Sequence, residues 1–108
     1  MTRGSIHWVH LDKRRPCVII SPDRRNELAG DVIVLPCSTR LRPMVWHVLL
    51  EPREGGVRRQ TMVKCEQVIT VPKELIHPAP FGPPLSPRRM HEIERALLLA
   101  LGFLLPMT

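Results

Sequence analysis

"IHWVHLDKRRPCVIIS" (Ile6 to Ser21) is the stretch whose reading decides the fold. Two apolar stretches, residues 6–11 and 16–20, flank a very short connection made almost entirely of cations: Lys13, Arg14 and Arg15. β-Branched and aromatic residues on both sides predict a pair of strands. A tight hairpin turn normally uses Gly or Asn, because such turns need positive φ. Neither is present; instead a proline, Pro16, follows the cations. Charge runs are usually solvated faces. A hairpin tip, however, is presented to solvent, and loops on rigid sheets concentrate ligand contacts. Arginine also matches phosphate oxygens with a rigid, two-pronged donor set. The tip is therefore read as a phosphate site.

Outward from this hairpin, further strands are expected over residues 32–35, 46–50 and 62–71. Glu54-Gly55-Gly56 supplies a turn, and residues 24–30 form a polar connection with at most one helical turn. Residues 32–35 are apolar on both faces, which predicts a buried strand. Pro36 is expected to end its ladder or to mark an edge. The proline-rich stretch through Pro78, Pro80, Pro83 and Pro84 reads as an extended, unpacked connector. Ser86-Pro87 is a strong helix start, followed by Met90, Ile93, Leu97 and Leu101 at helical spacing and by Gly102 as a stop. From Ala96 this helix is apolar nearly all round, as a dimer interface would require. The expected fold class is mainly β with a C-terminal helix: a small, strongly curved antiparallel sheet or barrel with the helix packed on it.

The length of 108 residues predicts one domain, 1–108. Sixteen Lys and Arg against ten Asp and Glu leave a net charge of +6, which favours a polyanionic partner. Cys17, Cys37 and Cys65 lie in or beside apolar runs without metal spacing and read as buried, reduced thiols in a cytoplasmic protein. The N-terminus turns polar too soon for a signal peptide, and the longest apolar run, residues 96–101, is too short to span a membrane. His7 and His10 point to opposite faces of one strand and cannot share an ion, so neither metal nor cofactor is expected. Ser38 lacks a G-x-S-x-G context. Glu66-Gln67 is placed inside the fifth strand, facing either solvent or a ligand. Trp8 and Trp46 are read as core, with base stacking as the other use.

Taken in order, these motifs resemble the MazF/PemK family of bacterial toxins. Arg3-Gly4, Leu11-Asp12 and the run from Arg14 to Asp23 resemble its opening and first hairpin. Val34-Leu35-Pro36-Cys37-Ser38-Thr39 resembles its central strand end, and Val63-Lys64-Cys65-Glu66-Gln67-Val68 with Thr70 its "C-EQ" strand. Leu85-Ser86-Pro87 with Ile93-Glu94-Arg95-Ala96-Leu97 resembles its terminal helix. The resemblance implies an SH3-like barrel of the CcdB/PemK type, a homodimer, and metal-independent cleavage of single-stranded RNA at short sequences to 2′,3′-cyclic phosphate and 5′-OH ends. It also implies an antitoxin whose acidic C-terminal segment covers the RNA groove. Arg15 takes the family's catalytic arginine and Ser38 its hydroxyl position, usually threonine. Apart from the resemblance, Lys13, Arg14 and Arg40 are read as holding the RNA backbone, with Thr39 also substrate-binding, and Gln67, at a matching family position, as able to read a base edge. The first loop is shorter than is common in the family, and Ile69 stands where a cation is often found. Two alternatives share the fold. One is a CcdB-like gyrase-binding toxin, whose activity needs a C-terminal tryptophan that residues 104–108 (LLPMT) lack. The other is a nucleic-acid-binding module without catalysis.

Overall fold

The computed structural model describes residues 1–103; the terminal residues 104–108 lie outside the described ones. Strands β1 (Ile6–His10), β2 (Arg14–Ile19), β3 (Asp31–Ser38), β4 (His47–Leu50), β5 (Thr61–Lys64) and β6 (Ile69–Pro72) are joined by a short helix α1 (Asp23–Leu28) and followed by α2 (Pro87–Ala100). All pairings are antiparallel, in the order β1-β2-β3-β5-β4, with β6 also on β3.

β3 organises this sheet. It pairs with β2 from Val34 to Pro36, with β6 from Asp31 to Val34, and with β5 at Cys37 and Ser38. Alternation along β2 and β3 sends Val18 and Leu35 to one core, against Met90, Ile93 and Ala96 of α2. Cys17, Ile19, Val32 and Val34 go to a second core with Val9, Val71 and Ile76. Both faces are covered, which is why these strands are continuous apolar runs. Pro36 lies inside β3 and neither ends it nor marks an edge. It falls in the gap between β6, which stops at Val34, and β5, which starts at Cys37, so on that edge its missing N–H interrupts no ladder.

Three further expectations are corrected. Arg14 and Arg15 are not at the hairpin tip: they lie in the ladder opposite His10 and Val9. The loop is Leu11-Asp12-Lys13, in which the Leu11 N–H donates to the Lys13 carbonyl at 3.0 Å. Among the described residues Arg53 is the one non-glycine with positive φ, so this three-residue loop works without the turn residues a two-residue loop needs. Residues 62–71 are not one strand. The chain turns at Cys65-Glu66, leaves β4 and β3's far end, and returns as β6 on β3's first half. Glu66-Gln67 therefore lies in an exposed turn.

The proline-rich stretch is packed. The N–H groups of His77, Phe81 and Leu85 donate to the carbonyls of Trp8, Ile6 and Gly4 at 2.9, 2.7 and 2.9 Å. Donors four residues apart thus serve acceptors two apart from Gly4 to Trp8, in β1 and just before it, and a bridge joins Val9 to Ile76. The strap covers β1's free edge with residues that cannot themselves extend a sheet. The pairings leave β1 and β4 as the two ends of the strand order, so the curved sheet does not close into a complete barrel. The strap also presses on the Glu54–Gly56 turn, where Gly56 has φ +90°. A Cβ there would lie 2.4 Å from the carbonyl carbon and oxygen of Phe81.

Helix α2 starts as expected: the Ser86 side chain accepts from the Arg89 N–H at 3.2 Å, with Pro87 at the first helical position. Arg89 bonds Glu54 and Glu92 at 2.8 Å each, tying the helix start to that turn. Leu98, Leu99, Leu101 and Phe103 remain exposed. Among the described residues no helix is long and apolar enough to cross a membrane. All three cysteines are free and buried, and burial pushes the Cys17 and Cys65 thiols up to about 12.

His7 links β1 to the strap. Its Nδ1 lies 2.8 Å from the His77 carbonyl, which must accept, so the proton sits on Nδ1; Nε2 lies 2.9 Å from the Ser5 hydroxyl. Burial lowers the pKa of this ring below 6.5, against the raising effect of the carbonyl bond. Above pH 6.5 the ring is neutral in both folded and unfolded chains. As pH falls through 6.5 the unfolded chain takes up a proton that the folded ring refuses, so stability is lost on acidification. The urea midpoint should fall between pH 8 and pH 5.5, and His7→Gln should flatten that fall while lowering stability at pH 8.

Candidate active site

The side chains of β2 alternate, and this separates two arginines that are adjacent in sequence. Arg14 turns to the face of Trp8, where its guanidinium lies 4.4 Å from the ring centroid. Trp8 is half-buried and packs on Phe81 at 5.1 Å between centroids, so it is a platform at the surface and not core. Around them runs a groove of about 640 Å³, lined by Trp8, Arg14, Thr39, Arg58, Arg59 and Phe81 among others. None of its arginines takes part in an ion pair among the described residues.

Arg15 turns the other way and forms a two-pronged pair with Asp12: Nε to Oδ1 at 2.9 Å and Nη2 to Oδ2 at 3.0 Å. Hydrogen bonding from Arg15 holds the Asp12 carboxyl down at about 2, and the same bond raises the arginine. The β2–β3 ladder ends at Cys17 opposite Pro36. Arg15 stands two residues before Cys17 in β2 and Ser38 two after Pro36 in β3, so both lie just beyond the end of that ladder. Ser38 is the last residue of β3; its Oγ accepts from the Arg40 N–H at 3.0 Å. Its own hydrogen has no partner among the described residues, so this hydroxyl can still donate.

Beyond Ser38 lies a second depression, about 350 Å³, lined by Arg40, Arg42, Met44, His47, Lys64 and Glu66. His47 bonds the Arg42 carbonyl through Nδ1 at 2.6 Å and faces Glu66 through Nε2 at 3.1 Å. The β4–β5 register pairs His47 with Lys64 and so brings Glu66 within reach.

Of the residues expected from sequence, Arg14 and Thr39 meet in the groove, Arg40 lines the second depression, and Arg15 and Ser38 lie at adjacent strand ends. Lys13 and Gln67 are exposed and line neither depression. Sequence reasoning missed Arg58, Arg59 and His47, and it placed Glu66 in a strand where the structure has a turn. The Arg58-Arg59 doublet after the glycine turn was a usable signal. His47 and Glu66 meet only through strand register. Among the described residues no three His, Cys, Asp or Glu side chains gather at metal-binding distance.

The model of a family described as the PemK-like, MazF-like toxin of type II toxin-antitoxin systems matches residues 2–101. The chain is 31% identical over 71 residues to the probable endoribonuclease MazF5 of Mycobacterium tuberculosis, covering 64% of this chain and 65% of that protein, just under two thirds of its length. Its fold is similar to an endoribonuclease solved in complex with its cognate antitoxin from a mycobacterial species (TM-score 0.86, 25% identity, 98% of this chain and 99% of that one). It is similar too to the Mycobacterium tuberculosis toxin MazF-mt6 (TM-score 0.85, 23% identity, 94% and 99%). With the family model spanning nearly the whole described chain, and the hairpin, β3 end and terminal helix in the family's order, the chain belongs to the PemK-like, MazF-like toxins of type II toxin-antitoxin systems.

Proposed function

We propose that the protein, acting as a single domain over residues 1–108 in the cytoplasm, is a sequence-specific, metal-independent endoribonuclease on single-stranded RNA. The observation that carries this reading is the pair of basic depressions, one lined by Arg14 and Thr39 and the other by Arg40, next to Arg15 and Ser38 in the chain. RNA can cleave itself when its 2′-OH attacks the adjacent phosphorus and expels the 5′-oxygen, leaving a 2′,3′-cyclic phosphate and a 5′-OH. The pentacoordinate transition state carries extra negative charge on its oxygens, and a site needs cations and donors aimed there. Arg15 supplies charge and two-pronged donation, and Ser38 donates its free hydrogen to a non-bridging oxygen. A guanidinium stays protonated at any working pH, so Arg15 stabilises charge and does not carry the proton. Arg14 on Trp8 with Arg58 and Arg59 holds bases and backbone on one side, and Arg40 with Lys64 on the other. Lys13 attracts the strand from the hairpin tip, and Gln67 reads a base from the β5–β6 turn.

The same basic depressions suit the acidic C-terminal segment of an antitoxin, in line with the antitoxin complex named for the mycobacterial relative. The exposed leucines at the end of α2 support a homodimer. Leu98→Glu should move the light-scattering mass toward one chain; a dimer of unchanged mass and stability would place the interface elsewhere.

The test is incubation of the pure protein with a long RNA in EDTA, followed by mapping of the ends. Cyclic-phosphate and 5′-OH ends are expected, with resistance where a 2′-deoxyribose lies 5′ of the cut. Activity that needs added divalent metal would sink the mechanism, and binding without cleavage would favour the non-catalytic module. Ser38→Ala should lose roughly 100- to 1,000-fold in rate, and Ser38→Thr should keep most of it.

A further inference from the structure

We propose that Asp12 is a positioning residue, holding Arg15 side-on so that the guanidinium's opposite edge is offered to the scissile phosphate. This inference rests on the endoribonuclease reading. A guanidinium carries five N–H donors in one plane. Asp12 engages the Nε–H and one Nη2–H, at 2.9 and 3.0 Å, which leaves both Nη1 hydrogens and the second Nη2 hydrogen. Those remaining hydrogens form a second fork, pointing away from the carboxylate, and no other side chain or carbonyl among the described residues bonds the Arg15 guanidinium. One arginine can therefore hold its carboxylate and a phosphate at the same time, through different edges.

The placement follows from the shortened loop. Asp12 is the central residue of Leu11-Asp12-Lys13, and Arg15 enters the ladder opposite Val9, so the two meet around the corner at a separation of three residues. The extended backbone that Pro16 favours at Arg15 limits its side-chain directions, and the carboxylate fixes what freedom is left.

Two observations argue against a merely stabilising pair. Asp12 is 68% exposed and Arg15 32% exposed, a setting in which ion pairs contribute little to folding. Asp12 is also the single acid in the run from Asp12 to Arg15, on a surface read as meeting RNA phosphates. A carboxylate there repels the substrate, so it costs affinity, and a gain at the chemical step would offset that. It stays ionised throughout the working range, because Arg15 holds it at about 2. The arrangement is a fixed orientation and not a pH switch.

The geometry predicts a split between binding and rate. Asp12→Asn should slow single-turnover cleavage at saturating RNA by about 10- to 100-fold, the range expected from misplacing a catalytic group. RNA affinity should stay equal or rise a few-fold, and the urea midpoint should not move. As a readout independent of activity, the Arg15 Nε–H should give a protected resonance by NMR in the unmodified protein and lose it in Asp12→Asn. Wild-type rates or faster in Asp12→Asn would show that Asp12 competes with substrate or does nothing, and would overturn the proposal. Loss of rate in parallel with loss of affinity, or with the fold, would overturn it too. If the unmodified protein leaves RNA uncut, the endoribonuclease reading itself fails; if it cuts and Asp12→Asn cuts equally well, only the role of Asp12 fails.

Discussion

Arg15→Ala should reduce single-turnover cleavage by about 1,000-fold or more while leaving most of the RNA affinity. Arginines that neutralise charge at a transferring phosphoryl group contribute roughly 10³- to 10⁵-fold to rate, and Arg15 is placed to act mainly at that step. Its side chain is one-third exposed and already paired to Asp12, so in the ground state it adds little net attraction to a strand. Arg14 is the contrast. It lies on Trp8 in the groove without an acidic partner, so Arg14→Ala should weaken binding at moderate salt and reduce the salt slope by about one, with cleavage at saturating RNA largely kept. Lys13→Ala should behave the same way with a smaller effect, since Lys13 lines neither depression. Binding isotherms at several salt concentrations and single-turnover rates on the three variants decide the matter. Parallel losses of rate and affinity in all three would make Arg15 one charge among several.

The largest stability effect should come from Gly56→Ala. Its φ of +90° disfavours any side chain, and the added methyl would meet the Phe81 backbone at 2.4 Å. Backbone cannot swing away as a side-chain tip can. To make room, the strap must lift, and it then loses the Phe81 N–H bond to Ile6 and the packing of Phe81 on Trp8. A loss on the order of 3 kcal/mol or more is expected from strain and overpacking together, with faster amide exchange at His77, Phe81 and Leu85. Gly102→Ala is the control: φ is +81°, but none of the described residues lies within 4 Å of its added methyl, so only the backbone term of about 1 kcal/mol is expected. Equal effects at the two positions would mean that the strap is loosely held.

Where a signal is local, the sequence by itself determined the outcome. Ser86-Pro87 starts α2 because a hydroxyl cap and a proline at the first position act within one helical turn. The β-branched runs became β2 and β3, and the cysteines within them are buried. The candidates Arg15 and Ser38 came from motif order, and both lie just beyond the end of the β2–β3 ladder. What tertiary structure alone decided are the relations between distant residues. Residues 62–71 read as one strand because apolar residues lie on both sides of the polar Glu66-Gln67 pair; the break at Cys65-Glu66 exists because β3 offers one edge to two partners in turn. The prolines read as unpacked connector because they cannot build a ladder, yet the N–H groups between them reach β1 some seventy residues earlier in the chain. Arg14 and Arg15 are interchangeable by composition, and the pleat alone sends one to Trp8 and the other to Asp12. Local preferences are written in neighbouring residues; which edge, face or carboxylate a side chain meets depends on a partner whose position is set only once the whole sheet has formed.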